Sequence, residues 1–342
     1  YAYVTKEKLL LYTSYASFFI VIANYIRRRD QIKMLFWIAF TVATLESAIG
    51  LFQYFTGITQ VSGVLRASGT YVNPNNFAGF LGMVIPFSLG YTFYLFSKTI
   101  DNVKIRQHLI KVTFSSHSLL FFATALMTLS LILSGSRGGI FSFLSSVIFF
   151  YILVSGGGTT RVKFWAISIF IIIVTLYSLW IGLDPVIQRF TETKEQLPSR
   201  TLIWKDTLQL IKDFPIFGTG LGTFGLSFIL YKNNAFWPLS FSHTHNDYLE
   251  LASETGLIGI ILVLLSIFIF YKQAWNGLRS SSTNIEPFRY FLVVGSLSGI
   301  CAMLIHAFTE FNFQIPANVY YFSFLMDLST NLLNHLANGE RS

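Results

Sequence analysis

Charge and cysteine are what this 342-residue chain has least of. Only 12% of its residues are Asp, Glu, Lys or Arg, about half the ~25% of ordinary soluble domains. That scarcity excludes a conventional solvated globular surface. The one cysteine, Cys301, stands in an apolar run, which excludes an internal disulfide framework and a CxxC metal site. The chain opens on Tyr1, and no charged segment with a cleavage-like site leads into its first apolar run. No signal peptide is read there, and the sequence is expected to begin partway into a longer protein.

Apolar residues are plentiful: 53% of the chain is hydrophobic and 17% aromatic. Several runs approach the ~20 apolar residues that carry a helix across a bilayer. The expected fold is therefore all-α, a polytopic transmembrane helical bundle. Nine spans are read, at 9–26, 34–56, 77–97, 114–134, 139–155, 164–183, 255–271, 288–308 and 317–335. The fourth and fifth are separated by a tight turn at "SGSRGG". The expected organisation is N-terminal spans over 1–183, a large polar loop over 184–247 and C-terminal spans over 248–342. A structureless connector of that length is unusual, so the loop is expected to be structured or functional.

The basic residues orient the chain. Arg27, Arg28, Arg29, Lys33, Lys98, Lys104, Arg106, Lys111, Arg161, Lys163, Lys272, Arg279, Arg289 and Arg341 occupy one set of alternate loops, more than half of the 24 Lys and Arg. Positive-inside asymmetry assigns that set to the cytoplasm. The net charge of +8 is then a topology signal, and a nucleic-acid partner is not implied. Four polar stretches fall on the opposite, outer side: "RASGTYVNPNN" (66–76), "SGSRGG" (134–139), the 184–247 loop with Arg200 and His245, and "HAFTEFNFQIP" (306–316). Such segregation suggests one shared outer-face site.

Within the loop, "PSRTLIWKDTLQLIKDFP" (198–215) reads as an amphipathic helix lying near the membrane surface. Leu202, Leu208 and Ile211 mark its apolar side, Ser199 is a candidate N-cap, and Pro215 follows its end. "GTGLGTFG" (218–225) has no preceding strand and no Lys-Ser/Thr after it, so it is read as a tight turn rather than a phosphate loop.

The polar residues admit competing readings. Arg137, flanked by glycine, is either an interfacial arginine with an apolar-packed stem or an anion clamp, whose planar fork suits phosphate. Arg200 and Arg66 are similar cases. His243 and His245 have the spacing of a metal pair, but Tyr248 stands where the binuclear metallohydrolase pattern HxHxDH has histidine, and no cysteine cluster completes a zinc set. The segment is also a helix start, with Asn246 or Asp247 as cap. The third reading is catalytic: histidine exchanges protons near neutral pH, and Asp247 or Glu250 would orient and polarise His245. Glu46 and Asp327, inside predicted spans, are either functional carboxylates or hydrogen-bonded structural ones.

Five ordered segments resemble the O-antigen ligase and O-antigen polymerase superfamily of bacterial glycan transferases. "RASGTYVNPNNFAGFL" is similar to its R-x-x-G-T-[FY]-x-N-P-N-x-[FL]-A segment, and "LSGSRGG" to its SxSR turn. "SRTLIWKDTLQLIKDFPIFGTGLGTF" is similar to R-x-x-x-W…P-x-x-G-x-G. His245-Asn246 followed by Gly256-x-x-Gly259 fits H-[NSQ]-x9-G-x-x-G. "HAFTEFNFQIPAN" resembles H-x-x-x-[DE]-F-N-x-x-[IV]-P-A-N. Family members commonly have ten to fourteen spans, more than the nine read here.

The resemblance implies a glycan donor linked through diphosphate to undecaprenol, used at the outer face of the bacterial inner membrane, with membrane lipids around the protein. It implies transfer to lipid A–core by a ligase, the favoured reading, or to a growing glycan by a polymerase; a protein O-oligosaccharyltransferase shares the motifs. His245 is then the general base, Arg137, Arg200 and Arg66 bind diphosphate, and His243, Asn246, Asp247, Glu250, His306 and Glu310 support them. Diphosphate leaves readily if arginines bear its charge, so neither a general acid nor a metal or other cofactor is expected, and direct displacement would invert the anomeric carbon. The rival from another class is a lipid-linked glycan transporter, which would carry charges at mid-membrane. A structural scaffold would leave the one-sided motifs unexplained.

Overall fold

A computed structural model of the chain describes residues 2–58, 65–101, 116–155, 193–233, 240–280 and 286–337. Among these the regular elements are all helical: α1 (Ala2–Tyr25), α2 (Arg29–Thr56), α3 (Pro74–Asp101), α4 (Ser116–Leu133), α5 (Arg137–Ser155), α6 (Thr193–Asp213), α7 (Phe224–Ser227), α8 (Asp247–Ser280), α9 (Pro287–His306) and α10 (Pro316–Ala337). Five of them, α2, α3, α5, α8 and α9, contain stretches long and apolar enough to cross a membrane, and Ser118–Leu133 of α4 is a shorter apolar helix. The chain is a polytopic helical membrane protein. Eight of the nine spans read from the sequence coincide with helices, whereas 164–183 lies outside the described residues. α1 and α10 are not among the five. Lys6, Glu7 and Lys8 dilute the first, and Asn318, Asp327 and Asn331 the second.

The bundle is built around α3 and α9, which pack on each other and are themselves covered by α4, α5 and α10. Between apolar lipid tails and apolar side chains there is little hydrophobic drive, so membrane helices associate where small residues let backbones approach. At the α3–α9 contact a Cβ added to Gly295 would sit 2.8 Å from the Pro86 carbonyl oxygen, and one on Gly90 would strike the Phe291 carbonyl. α2 lies against α4, and α1 against α10. At the end of the bundle away from the motif turns, Arg29 ties three elements together. It donates to Glu286 and to the Tyr94 hydroxyl, both at 2.6 Å, and lies over the Phe288 ring at 4.5 Å.

The described part of the polar loop folds as a small unit on one end of the bundle, with α6 against α8. As expected, the 198–215 stretch is helical and α6 stops just before Pro215. Two expectations are corrected. The helix begins at Thr193, so Ser199 lies inside it and is not its cap. Its buried stripe is Ile203, Thr207 and Leu210, while Leu208 is 48% exposed. Ile203 and Leu210 pack against Phe224 and Phe228, with the expected Leu202 partly buried beside them, so the apolar side was read correctly at Leu202 and misplaced at Leu208.

That unit is locked to α8 through a break in the helix. Gly256 has φ 65°, ψ −168°, so α8 is two helices joined at a kink. The freed N–H of Leu257 donates to the Pro215 carbonyl at 2.8 Å, and the carbonyls of Ser253 and Glu254 accept from Thr219 and Gly220 at 3.0 and 2.9 Å. Gly218, Gly220 and Gly222 all have positive φ. The glycine-rich stretch is the tight turn expected of it, and its curvature brings Thr219 and Gly220 against the broken helix.

Candidate functional site

Asn246 opens α8. Its Oδ1 accepts from the N–H groups of Tyr248 and Leu249, both at 3.1 Å, which satisfies donors that a helix start leaves unpaired. The preceding residues are held just as closely. The Thr244 N–H donates to Glu250 Oε2 at 2.9 Å, its hydroxyl donates to the Asn246 carbonyl at 2.6 Å, and its own carbonyl accepts from Trp204 Nε1 at 3.0 Å. Between these anchors His245 takes φ 53°, the only positive φ of a non-glycine residue among the described residues. A left-handed side-chain-bearing residue costs on the order of 1–3 kcal/mol, and such strain clusters at functional sites.

The partner of His245 is Glu310. Nδ1 lies 2.6 Å from Glu310 Oε1. The sequence reading gave this orienting role to Asp247 or Glu250. The structure corrects it: Asp247 points to the Phe313 N–H at 3.1 Å, and Glu250 holds His243 Nδ1 at 2.8 Å. The 1%-exposed Glu310 side chain gathers several partners. Oε2 accepts from Asn75 Nδ2 at 2.5 Å and pairs with Arg200 Nη2 at 3.5 Å. Burial alone would raise this carboxyl, but the hydrogen bond from His245 and the charges of His245 and Arg200 outweigh it and hold Glu310 below the usual value. An ionised carboxylate only accepts, so Nδ1–H of His245 donates, and in the neutral ring that tautomer puts the lone pair on Nε2. The ring is 30% exposed, so that nitrogen belongs to a side chain open to a ligand.

All the motif segments converge here. Arg200 also donates from Nη1 to the Thr309 carbonyl at 2.8 Å. Arg66 is buried, with Nε on the Ser134 carbonyl at 2.5 Å and Nη2 on Asn75 Oδ1 at 2.6 Å. Those bonds tie the 65–76 segment to the α4–α5 turn. Arg137 begins α5 at that turn and is half-buried. The turn rests on the corner after α9, because a Cβ on Gly138 would strike Thr309 and lie 3.1 Å from His306. His306 is buried beneath it, with Nε2 3.5 Å from Ser136 Oγ. Asn75 and Phe311 were not singled out from sequence. Asn75 occupies the second asparagine of the quoted N-P-N, which was the available signal. The Phe311 ring stacks on His243 at 4.4 Å and meets His245 edge-on at 5.0 Å, a role that no spacing announces. Among the described residues no three His, Cys, Asp or Glu side chains converge as a metal-ligand set. Glu46 accepts from the N–H and hydroxyl of Thr70 at 2.8 and 2.7 Å, which favours its structural reading. Asp327 is buried among the helices, away from these contacts.

Beside the site lies an apolar cavity of about 770 Å³. Phe18, Leu35, Val42 and Tyr320 are among its walls, from α1, α2 and α10, and Asn73, Asn76 and Phe311 also line it. Phe311 thus touches both the imidazoles and the cavity.

Fold and site together define a multi-pass helical membrane protein with buried carboxylates, three histidines and three arginines at one end of the bundle. Residues 122–264 match the family model described as O-Antigen ligase. A Rickettsia felis protein named "Putative polysaccharide ligase" is 27% identical over 120 residues, 32% of this chain and 29% of that protein. The "Exopolysaccharide production protein ExoQ" of Rhizobium meliloti is 25% identical over 156 residues, 40% of this chain and 31% of its own. A Haemophilus influenzae protein, named only as uncharacterized, is 28% identical over 137 residues, 38% of this chain and 33% of its own. The chain thus spans about a third of the length of the curated relatives it matches. These matches establish the likeness to the O-antigen ligase superfamily that the motifs carry.

Proposed function

We propose that the protein transfers a glycan from a polyprenyl-diphosphate donor, undecaprenyl diphosphate in the family's bacteria, to an acceptor hydroxyl at the periplasmic face of the inner membrane. In this reading the regions 1–183 and 248–342 hold the membrane-embedded donor, and 184–247 covers it from outside. The observation that carries the proposal is the contact of His245 with Glu310. A buried carboxylate on Nδ1 fixes the tautomer and leaves Nε2 to take a proton, which is what activation of a sugar hydroxyl requires.

The step balances as a single displacement. The acceptor oxygen bonds to the anomeric carbon as its proton passes to His245 Nε2. The bond from that carbon to the diphosphate oxygen breaks, and polyprenyl diphosphate leaves with the electron pair. Attack opposite the leaving group inverts the anomeric centre. Arg137 and Arg200 receive the leaving charge, a role for which guanidinium forks are suited. Arg66, buried and with Nε and Nη2 on Ser134 and Asn75, supports that site chiefly by holding its turn, whereas the Arg200 side chain is 33% exposed and keeps an open side beside its bonds to Thr309 and Glu310. The apolar cavity next to Phe311 suits the isoprenoid tail. No step requires a metal ion, because the arginines supply the electrophilic assistance.

The acceptor is taken to be lipid A–core, in line with the family description and the ligase name of the Rickettsia relative. The likeness to the Rhizobium exopolysaccharide protein keeps a second reading, in which the acceptor is another glycan chain and the enzyme is a polymerase. The test is a reaction of purified full-length protein in vesicles with a polyprenyl-diphosphate glycan and each acceptor in turn, without nucleotide. A glycosylated lipid A–core is the expected product. Elongated donor glycan alone identifies the polymerase, and donor translocation without any new glycosidic bond removes the enzyme reading.

A further inference from the structure

The contact between the 215–220 loop and the broken α8 has a bearing on where the loop sits. α8 has 34 residues in two helices broken at Gly256; even the part after the break, 257–280, runs about 36 Å at 1.5 Å per residue, whereas the hydrocarbon of a bilayer is about 30 Å thick. Part of it must therefore project beyond the acyl region. Lys272, Trp275 and Arg279 stand near its C-terminal end and are residues that anchor at an interface. Counting roughly 20 residues back from Trp275, the length that fills the hydrocarbon, reaches the Gly256 break. The break and the loop hydrogen-bonded to it thus lie at the acyl boundary of the leaflet on the motif-bearing side.

Two observations agree with that depth. Irregular backbone survives at the hydrocarbon only where its polar groups are satisfied within the protein. Here the Leu257 N–H and the Ser253 and Glu254 carbonyls, which the kink sets free, are satisfied by Pro215, Thr219 and Gly220. The side chains also form one apolar strip. Ile216 and Phe217 are 56% and 76% exposed, and they adjoin Leu257 and Ile258, from which the exposed face of α8 runs on through Ile261 and Leu262.

We propose that the 215–220 loop is inserted in the membrane, with Ile216 and Phe217 in the acyl chains and not in water or against another protein. The loop follows directly on α6, so its insertion would anchor the C-terminal end of that helix at the membrane. The insertion itself rests on the reading of α8 as a membrane span and is independent of the reaction proposed above.

The test places a nitroxide spin label on Phe217→Cys, in a protein whose Cys301 is replaced by serine, reconstituted in phosphatidylethanolamine–phosphatidylglycerol vesicles. Collision with oxygen, which concentrates in acyl chains, is compared with collision with a water-soluble nickel chelate. Lys205→Cys, on the exposed side of α6, is the aqueous reference. The expected result is oxygen-dominated relaxation at 217 and nickel-dominated relaxation at 205. Nickel access at 217 equal to that at 205 overturns insertion in favour of a solvated loop. Shielding of 217 from both reagents overturns it in favour of a protein partner. Ile216→Cys carries the same test if the Phe217→Cys protein does not fold.

Discussion

His245 Nδ1 and Glu310 Oε1 lie 2.6 Å apart although 65 residues separate them along the chain. The contact joins the start of α8 to the corner between α9 and α10. Glu310→Gln keeps the shape but donates or accepts without charge, and it frees the imidazole tautomer. We expect transfer to fall by about 10–100-fold with a smaller change in KM, less than the ~10²–10⁴-fold typical of losing a general base. In a double-mutant cycle, Glu310→Gln should add little to His245→Ala, since both act through one imidazole. Full additivity of the two losses would show that Glu310 acts elsewhere.

Arg137→Lys and Arg200→Lys keep the charge and lose the fork. Each is expected to lower kcat/KM by about 10-fold or more while the protein still extracts and elutes as wild type, because an ammonium does not reproduce two parallel donors. The loss should be read by titrating the diphosphate donor. Wild-type activity with lysine at either position would reduce that arginine to a general positive charge.

Glu310 also links the site to pH. Its carboxyl sits below its usual value in the folded protein, so ionisation there favours folding. The contribution is fully present above the unfolded-state value of about 4.3 and is lost as pH falls through the lowered folded-state value. Thermal unfolding of wild type and Glu310→Gln in the same detergent should therefore differ most near neutral pH, and the gap should close on acidification below about pH 4. A gap that widens in acid would contradict the sign.

Gly256→Ala probes the lock between loop and α8. Its φ of 65° disfavours any side chain, and a Cβ there would strike the Ile216 carbonyl. Substitution by alanine where φ is positive costs more than about 1 kcal/mol. We expect lower thermal stability and weaker transfer together. Gly57→Ala is a control, since its φ is 75° but its Cβ would meet nothing within 4 Å; it should cost strain only.

The sequence was legible where long-range chemistry repeats a local rule. Apolar run length located eight of the helices, five of them long and apolar enough to cross a bilayer, and Pro215 marked the end of α6 because proline cannot continue a helix. His245 stood out as a polar residue beside a membrane-grade run, Arg200 as an arginine of the polar loop, and Glu310 only through the closing family motif. Their pairing did not. Asp247 and Glu250 are nearer to His245 in sequence, yet the helix they begin carries them to Phe313 and His243. The left-handed turn at His245 aims its ring at a different element. The buried side of α6 was misjudged for a related reason: Thr207 is buried by its neighbours, not by its own polarity. Asn75 stood inside the quoted N-P-N, but that motif does not say that its amide bridges Arg66 and Glu310.

The most direct test of the account is the rate of glycan transfer by purified His245→Ala and His243→Ala proteins beside wild type, with a polyprenyl-diphosphate donor, saturating acceptor and EDTA throughout. The account predicts that wild type turns over undiminished by the chelator. It predicts that His245→Ala loses about 10²–10⁴-fold in kcat while binding the donor normally, and that His243→Ala retains most of its rate. Near-normal turnover by His245→Ala would contradict the assignment of its imidazole as the base. Abolition of wild-type transfer by EDTA, restored by one divalent metal, would contradict the metal-free step.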